Sequence, residues 1–371
     1  MSGPAPQIFL WLTGQEDNVG DSALRRPYAR ALADAGPVTA WCGGPGTGYQ
    51  RGLALPPDVT VSRSLLRWWT ALVASGLRRP TVLAFNAGEF DVTKAYLVGV
   101  VALLPLLPLI RLRGGSVIWV GAGVRRRRRG LMWPFGALAR LADVLVWRDD
   151  RSGALLRAAP AMPDWAFALP PGGLLEERRG SGDRDCVVVS LRSDRPMPSP
   201  GWIASVGRLA RRLSAEVVVV AQVERDDARA RHVGRLLGAT VVGWSSADHA
   251  VQERALRDVY RRAHVVVSDR LHVLVLAATE GAVPLGWCEQ ATEKIASHFA
   301  VVGAEWAGPG ADGSAARLDT LDAATVNALS RRTATAVRDA AAEVRRTAHH
   351  MGSVISARAD GVRTSRDTQP T

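Results

Sequence analysis

The chain has 371 residues, 47% of them hydrophobic, with a net charge of +12 and a pI near 10.8. That apolar content excludes a disordered chain, and at roughly 100–200 residues per domain the length predicts two domains. The charge admits a polyanionic or anionic-lipid partner, but 45 of the 47 basic residues are Arg, the signature of a GC-rich genome; with no zinc-finger spacing, basic zipper or RNP signature, no nucleic-acid partner is expected.

The N-terminal MSGPAPQIFLWLTGQEDN has no basic n-region and too short an apolar run for a signal peptide. Cys42, Cys186 and Cys288 are odd in number and far apart, which suits a reducing compartment rather than disulfides or a zinc site. A cytoplasmic protein is expected. Short apolar runs at residues 8–12, 38–42, 81–86, 116–123 and 144–149 then alternate with helical segments, as in a parallel sheet covered on both faces. A second series follows at 187–192, 216–223, 240–244, 264–270 and 283–287. Between the series lies PPGGLLEERRGSGDRD, rich in Pro, Gly and charge, which reads as a linker. The fold class is therefore α/β with two Rossmann-like domains facing a cleft: residues 1–172 and 186–320, joined by a linker over 173–185. Helical spacing of Val326, Leu329, Ala336, Val337, Ala340 and Val344 predicts a long C-terminal helix over 321–356, with a disordered tail over 357–371.

One apolar stretch, AYLVGVVALLPLLPLI, has sixteen residues, just short of a bilayer span, and is interrupted by Pro105 and Pro108. It reads as a buried crossover helix. The alternative is a monotopic contact in which it and the Arg125–Arg129 run sit against anionic headgroups at the inner face of the plasma membrane.

In open α/β sheets ligands bind beyond the carboxyl ends of the strands. After the first strand, Asn18, Gly20 and Asp21 lead into a helix whose N-terminus suits an anion, although an Asx turn and N-cap explain them equally well. After the third come Asn86, Gly88 and Glu89; after the fifth, Arg148 with Asp149 and Ser152, the last two in helix-capping positions. In the second domain VVVSLR ends in Ser190 and Arg192, and HVVVSDRLH ends in Ser268, Asp269, Arg270 and His272. A lone Arg at such a position is usually paired with a neighbouring acid. Two arginines beside a histidine offer planar forks for carboxylate or phosphate and a group that transfers protons near neutral pH. Trp41, Trp244 and Trp287 end strands and read as core, with stacking on a sugar ring as the alternative.

In order, NVGDSAL (18–24), VGAG (120–123), VWRDDRSGALL (146–156) with PDWAF (163–167), VVVSLR, VSDRLHVLVLAATEGAVPLGW and EKIASHF (293–299) resemble the polysaccharide pyruvyl transferase family. The resemblance spans Asn18 to about Phe299, with the family's glycine-rich loop after the third strand reduced to Asn86–Glu89. It implies a glycosyltransferase-B-like (GT-B-like) arrangement with the C-terminal helix packing back across the first domain. It also implies phosphoenolpyruvate as co-substrate, no cofactor or metal, and a sugar or lipid-linked glycan as acceptor of a pyruvate ketal. On that reading Arg192, Arg270, Leu271, His272, Lys294 and Ser190 hold the donor, while Asn18, Gly20, Asn86, Gly88, Glu89 and Arg148 face the acceptor. His272, Arg270 and Asp21 carry the chemistry: His272 as acid, Asp21 as base, with Asp269 orienting Arg270. A nucleotide-sugar glycosyltransferase on the same fold, with Glu280 or Glu289 holding a ribose, is the alternative enzyme, and a non-catalytic scaffold in envelope assembly the third reading.

Overall fold

The computed structural model describes residues 5–44, 46–125, 130–170, 184–287, 293–308 and 316–367. The first sheet contains β1 (Gln7–Trp11), β2 (Val38–Trp41), β3 (Thr60–Ser62), β4 (Thr81–Ala84), β5 (Gly88–Phe90), β6 (Ser116–Val124) and β7 (Val144–Trp147). Its order is β3-β2-β1-β4-β6-β5, with β7 also on β6. The second contains β8 (Cys186–Ser190), β9 (Glu216–Val220), β10 (Thr240–Val242), β11 (Ala263–Ser268) and β12 (Val283–Gly286), in the order β10-β9-β8-β11-β12. All pairings are parallel.

The ten strands expected from apolar runs are all present, most of them ending one to three residues early. β3 and β5 were not anticipated: each has three residues and, unlike the equally short β10 in TVVGW, lies in no longer apolar run. β4 pairs with the start of β6 and β5 with its end, while β7 lies on the opposite edge. So β4 and β5 follow one line along β6, with Asn86 at the break.

Alternate residues of each strand face two different cores, as period-2 geometry requires. Ile8 and Leu10 point into a large core that also receives Val188 and Val266 of the second sheet, whereas Phe9 and Trp11 face a separate cluster on the outer side of the first sheet. The inner faces of the two sheets thus share one core. The C-terminal helix, Ala323–Asp367, laces it together: Val326 packs on the second domain's outer cluster, and Ala340, Val344, Met351 and Ile355 on the shared core. Arg358 reaches Asp143 of the first domain at 2.5 Å. The helix does pack back across the first domain. It also runs on past residue 356 to Asp367 where a tail was expected, because Ile355 and Ala359 still find apolar partners. Most of the expected linker, residues 171–183, lies outside the described residues.

The apolar stretch forms two helices, Lys94–Leu103 and Leu106–Leu112, broken at Leu104-Pro105. It is not the buried crossover helix expected: only 28% of its apolar window is buried, and Val98 and Leu112 are 66% and 82% exposed.

Candidate functional site

Each sheet has a point where strand order reverses, and there the carboxyl ends diverge to leave a crevice. In the first sheet this lies between β1 and β4. Asn86, just past β4, donates through Nδ2 to the Thr13 carbonyl beyond β1 (2.6 Å) and accepts from Arg25 Nε (2.8 Å). In the second it lies between β8 and β11, which carry Arg192 and Arg270–His272.

The two crevices face each other across a short seam. The Glu224 amide donates to the Asp17 carbonyl at 2.9 Å, and Asn18 bridges Val223. Asn18 N-caps the helix Val19–Ala33 by accepting from the Gly20 amide at 3.1 Å. Gly20 is one of the close approaches between the domains: a Cβ there would lie 2.6 Å from His272 Cβ. Only a residue without a side chain lets the helix Leu271–Thr279 bring His272 so close to the first domain.

From His272 a line of alternating charge crosses the cleft and returns. His272 Nε2 is 3.4 Å from Asp164 Oδ2; Asp164 lies 3.5 Å from Arg148 Nη1; Arg148 Nη2 is 3.8 Å from Glu89; and Glu89 accepts from Lys294 Nζ at 2.8 Å. Asp164 is set by the 3-10 turn Trp165–Ala168, which it caps by accepting from the Ala166 amide at 2.9 Å. Burial alone would raise its carboxyl pKa, but contact with His272 and the charge of Arg148 outweigh that and hold it well below the usual range. Burial likewise opposes ionisation of Glu89, yet Lys294, Arg148 and Arg125 bring it down to about 2.

A second group surrounds Arg270, whose Nε pairs with Asp226 Oδ2 in a buried contact. Asp226 also accepts from the Ser193 amide at 2.8 Å, and Asp269 from the Arg192 amide at 2.9 Å. Burial pushes the Asp269 carboxyl up to about 6, against the pull of that amide and of the Arg270 and Arg192 charges. Arg192 itself is folded onto Asp194 with contacts of 2.7 and 2.6 Å. Among the described residues, buried Arg148 Nε and Nη1, Arg270 Nη2 and the ring Nε2 of His272 have no hydrogen-bond partner. Polar groups left unmatched in a buried place are costly unless a ligand completes them.

The structure therefore brings together His272, Arg148, Glu89 and Lys294, with Gly20 against the histidine and Arg270 two residues before it. It arranges the others differently. Asp21 does not face His272: its oxygens accept from Gln15 N at 2.9 Å and Asn18 Nδ2 at 3.3 Å, with Arg25 at 3.3 Å. The carboxylate facing His272 is Asp164. Asp226, rather than Asp269, orients Arg270. Ser190 is buried, and its carbonyl accepts from the Ser268 hydroxyl at 2.6 Å, tying β8 to β11. Leu271 is buried apolar core, and Gly88 turns the chain into β5 at φ +93. Asp149 caps its helix through the Ser152 amide at 2.8 Å. Trp41 packs on Trp11 and Trp68, Trp287 on Trp202, and Trp244 on His249, the core reading in each case. Sequence reasoning also missed His298, whose Nδ1 donates to the Lys294 carbonyl at 2.7 Å and whose pKa falls to about 3 through burial and the charges of Arg148 and Lys294. Asp164 and His298 both sat within quoted motifs, in PDWAF and EKIASHF.

No protein-family model matches the chain, and no curated protein matches it. Among solved structures it is similar to UDP-GlcNAc 2-epimerase from Neisseria meningitidis bound to UDP-GlcNAc, with a TM-score of 0.57 and 9% identity over 95% of this chain and 100% of that one. It is also similar to another UDP-N-acetylglucosamine 2-epimerase (TM-score 0.56, 11% identity, 92% and 95% covered). A mutant of the Thermobaculum terrenum O-GlcNAc transferase matches with a TM-score of 0.53 and 12% identity over 97% of this chain and 69% of that one. At these identities the likeness establishes the fold alone: two Rossmann-like domains in the GT-B arrangement.

Proposed function

We propose that this GT-B-fold protein is a transferase of the polysaccharide pyruvyl transferase type, moving the pyruvyl unit of phosphoenolpyruvate onto two hydroxyls of a sugar or lipid-linked glycan. The observation that carries the reading is the pair of buried arginines, Arg148 and Arg270, whose Nε and Nη2 respectively make no hydrogen bond, facing each other across the cleft beside the His272–Asp164 pair. Phosphoenolpyruvate bears a carboxylate and a phosphate two bonds apart, and suits arginine donors approaching from both domains. Lys294 and Arg192 stand nearby, each held by an acid, Glu89 and Asp194, that an incoming anion displaces.

In the mechanism that follows, His272 delivers a proton to the donor methylene carbon, making it a methyl group, as one sugar hydroxyl adds to the adjacent carbon. The C–O bond to phosphate then breaks, the leaving phosphate taking both electrons and finding Arg270. The second hydroxyl adds to the oxocarbenium centre. Its proton and that of the first hydroxyl balance the one given to carbon and the one taken up by phosphate. Asp164 keeps the histidine ring oriented and gives it a fixed counter-charge.

A nucleotide-sugar glycosyltransferase is the second reading, favoured by structural neighbours that include a UDP-GlcNAc 2-epimerase bound to UDP-GlcNAc and an O-GlcNAc transferase. Against it, Glu280 is committed elsewhere: it accepts from Arg257 Nη1 at 2.6 Å, at the end of its helix remote from His272. Glu289 lies outside the described residues. Calorimetric titration with phosphoenolpyruvate and with a panel of nucleotide sugars separates the two. Phosphoenolpyruvate binding that Arg270→Ala abolishes supports pyruvyl transfer; saturable binding of a nucleotide sugar in its place selects the second reading.

A further inference from the structure

The outer side of the first sheet is covered by four helices: Leu65–Arg78, Lys94–Leu103, Leu106–Leu112 and Trp133–Leu141. Leu65–Arg78 packs on Leu106–Leu112, and Lys94–Leu103 on Trp133–Leu141, where Tyr96 stacks on Phe135 with centroids 5.6 Å apart. Their inner residues, among them Trp68, Val100, Ile110 and Phe135, build the outer core. Their outer residues are also apolar. Of eleven exposed large hydrophobic residues among the described part of the chain, nine lie on this layer or the turn leading into it, including Leu66 (70% exposed), Val98 (66%), Leu112 (82%) and Trp133 (64%). Scattered exposed apolar residues are ordinary, but such concentration on one layer marks a contact surface.

The charge around it is one-sided. Among the described residues between 60 and 140 there are nine Lys or Arg against two acids, Glu89 and Asp91. Glu89 belongs to the cleft, and Asp91 is 3.5 Å from Arg125. Arg67, Arg78, Arg113 and Arg140 are exposed on the same helices or at their ends.

We propose that this layer is a docking face for a bilayer rich in anionic phospholipid, the helices lying in the interfacial plane with their apolar side chains among the acyl chains and the arginines on headgroup phosphates. A second copy of the chain fits less well, since two such faces would oppose positive charge to positive charge. A true crossing is also excluded. Lys94–Leu112 has the length and composition for one, but it breaks at Leu104-Pro105, and Val100, Leu103, Leu107 and Ile110 are locked in the core beneath. The proposal is independent of the donor chemistry.

The test is co-sedimentation of the full chain with vesicles of phosphatidylcholine alone and of phosphatidylcholine with phosphatidylglycerol. Binding is expected to the anionic vesicles only and to be released by high salt. Each of Arg67→Gln and Arg113→Gln should lower the partition coefficient about fivefold at low salt, and Leu66→Gln with Trp133→Gln should abolish binding while far-UV circular dichroism is unchanged. Equal binding to both vesicles, no binding to either, salt-resistant binding, or a dimer that the Leu66→Gln, Trp133→Gln variant dissociates would each overturn it.

Discussion

Replacing Asp164 by Asn isolates the middle of the charged line. The amide keeps the shape of the side chain and an acceptor for the Ala166 amide, so only the charge is lost. Asp164 and Arg148 are each 1% exposed, and Arg148's remaining acid, Glu89, is 3.8 Å away. Removing one partner of a buried pair costs about 3–5 kcal/mol; with Glu89 offsetting part of that, the loss should fall near the low end, ~3 kcal/mol. For a domain of this size that corresponds to roughly 6–12 °C in Tm. Because the folded carboxyl is held low, the stabilisation is present above the ordinary Asp range and lost as pH falls below it, a dependence the variant should not show. Denaturant unfolding at neutral and acid pH measures this. The same substitution in a His272→Gln background measures its catalytic share: turnover should drop in the parent and hardly change once His272 is gone. A stability loss below ~1 kcal/mol, or equal turnover effects in both backgrounds, would refute Asp164 as the group that orients His272.

Gly20→Ala, whose Cβ would sit 2.6 Å from His272 Cβ, should displace the histidine and cost about a hundredfold in turnover with the fold retained; steady-state kinetics beside circular dichroism checks both halves. Asp269→Asn should stabilise the protein at pH 8 by up to ~3 kcal/mol. The sign follows from its raised folded pKa, about 6: the wild-type contribution is best at low pH and lost as pH rises through that value, so the gain should shrink as pH falls toward the unfolded Asp range, a trend visible in urea melts across that window. Glu280→Gln leaves Arg257 with Glu253 at 2.8 Å as its remaining acid and should destabilise by less than the ~3 kcal/mol of a fully broken buried pair, yet leave donor affinity alone; weakened nucleotide-sugar binding would instead restore it as a ribose ligand.

Ten strands could be read from sequence because a doubly covered parallel strand is apolar along its length, a signal that needs no partner to interpret and that even three-residue β10 carries through TVVGW. β3 and the Gly88–Phe90 strand lacked it, the first closed in by Asp58 and Arg63 and the second containing Glu89. The site was legible where a polar residue follows such a strand, as Asn86, Arg148 and Arg270 do. It was not legible for Asp164, which follows an irregular segment, nor for Asp226, which sits in the charged run ERDDARAR and looks like solvated surface until its helix turns it toward Arg270. Pairings were least visible. Sequence order puts Asp269 beside Arg270, but consecutive residues leave the end of a strand in different directions, so Asp226, 44 positions away, makes the contact. The exposed layer was misjudged for a related reason: an all-apolar helix looks buried, and only the packed structure reveals that one side has no cover.

Phosphate release from phosphoenolpyruvate by the purified protein, offered simple aryl galactosides, glucosides and mannosides and with products weighed for an added pyruvyl ketal, is the experiment to do. Pyruvyl transfer predicts release that requires both donor and acceptor, a product heavier by one ketal-linked pyruvyl unit, and loss of both with Arg270→Ala. Absence of phosphoenolpyruvate binding, with turnover of a nucleotide sugar in the same cleft, would contradict it.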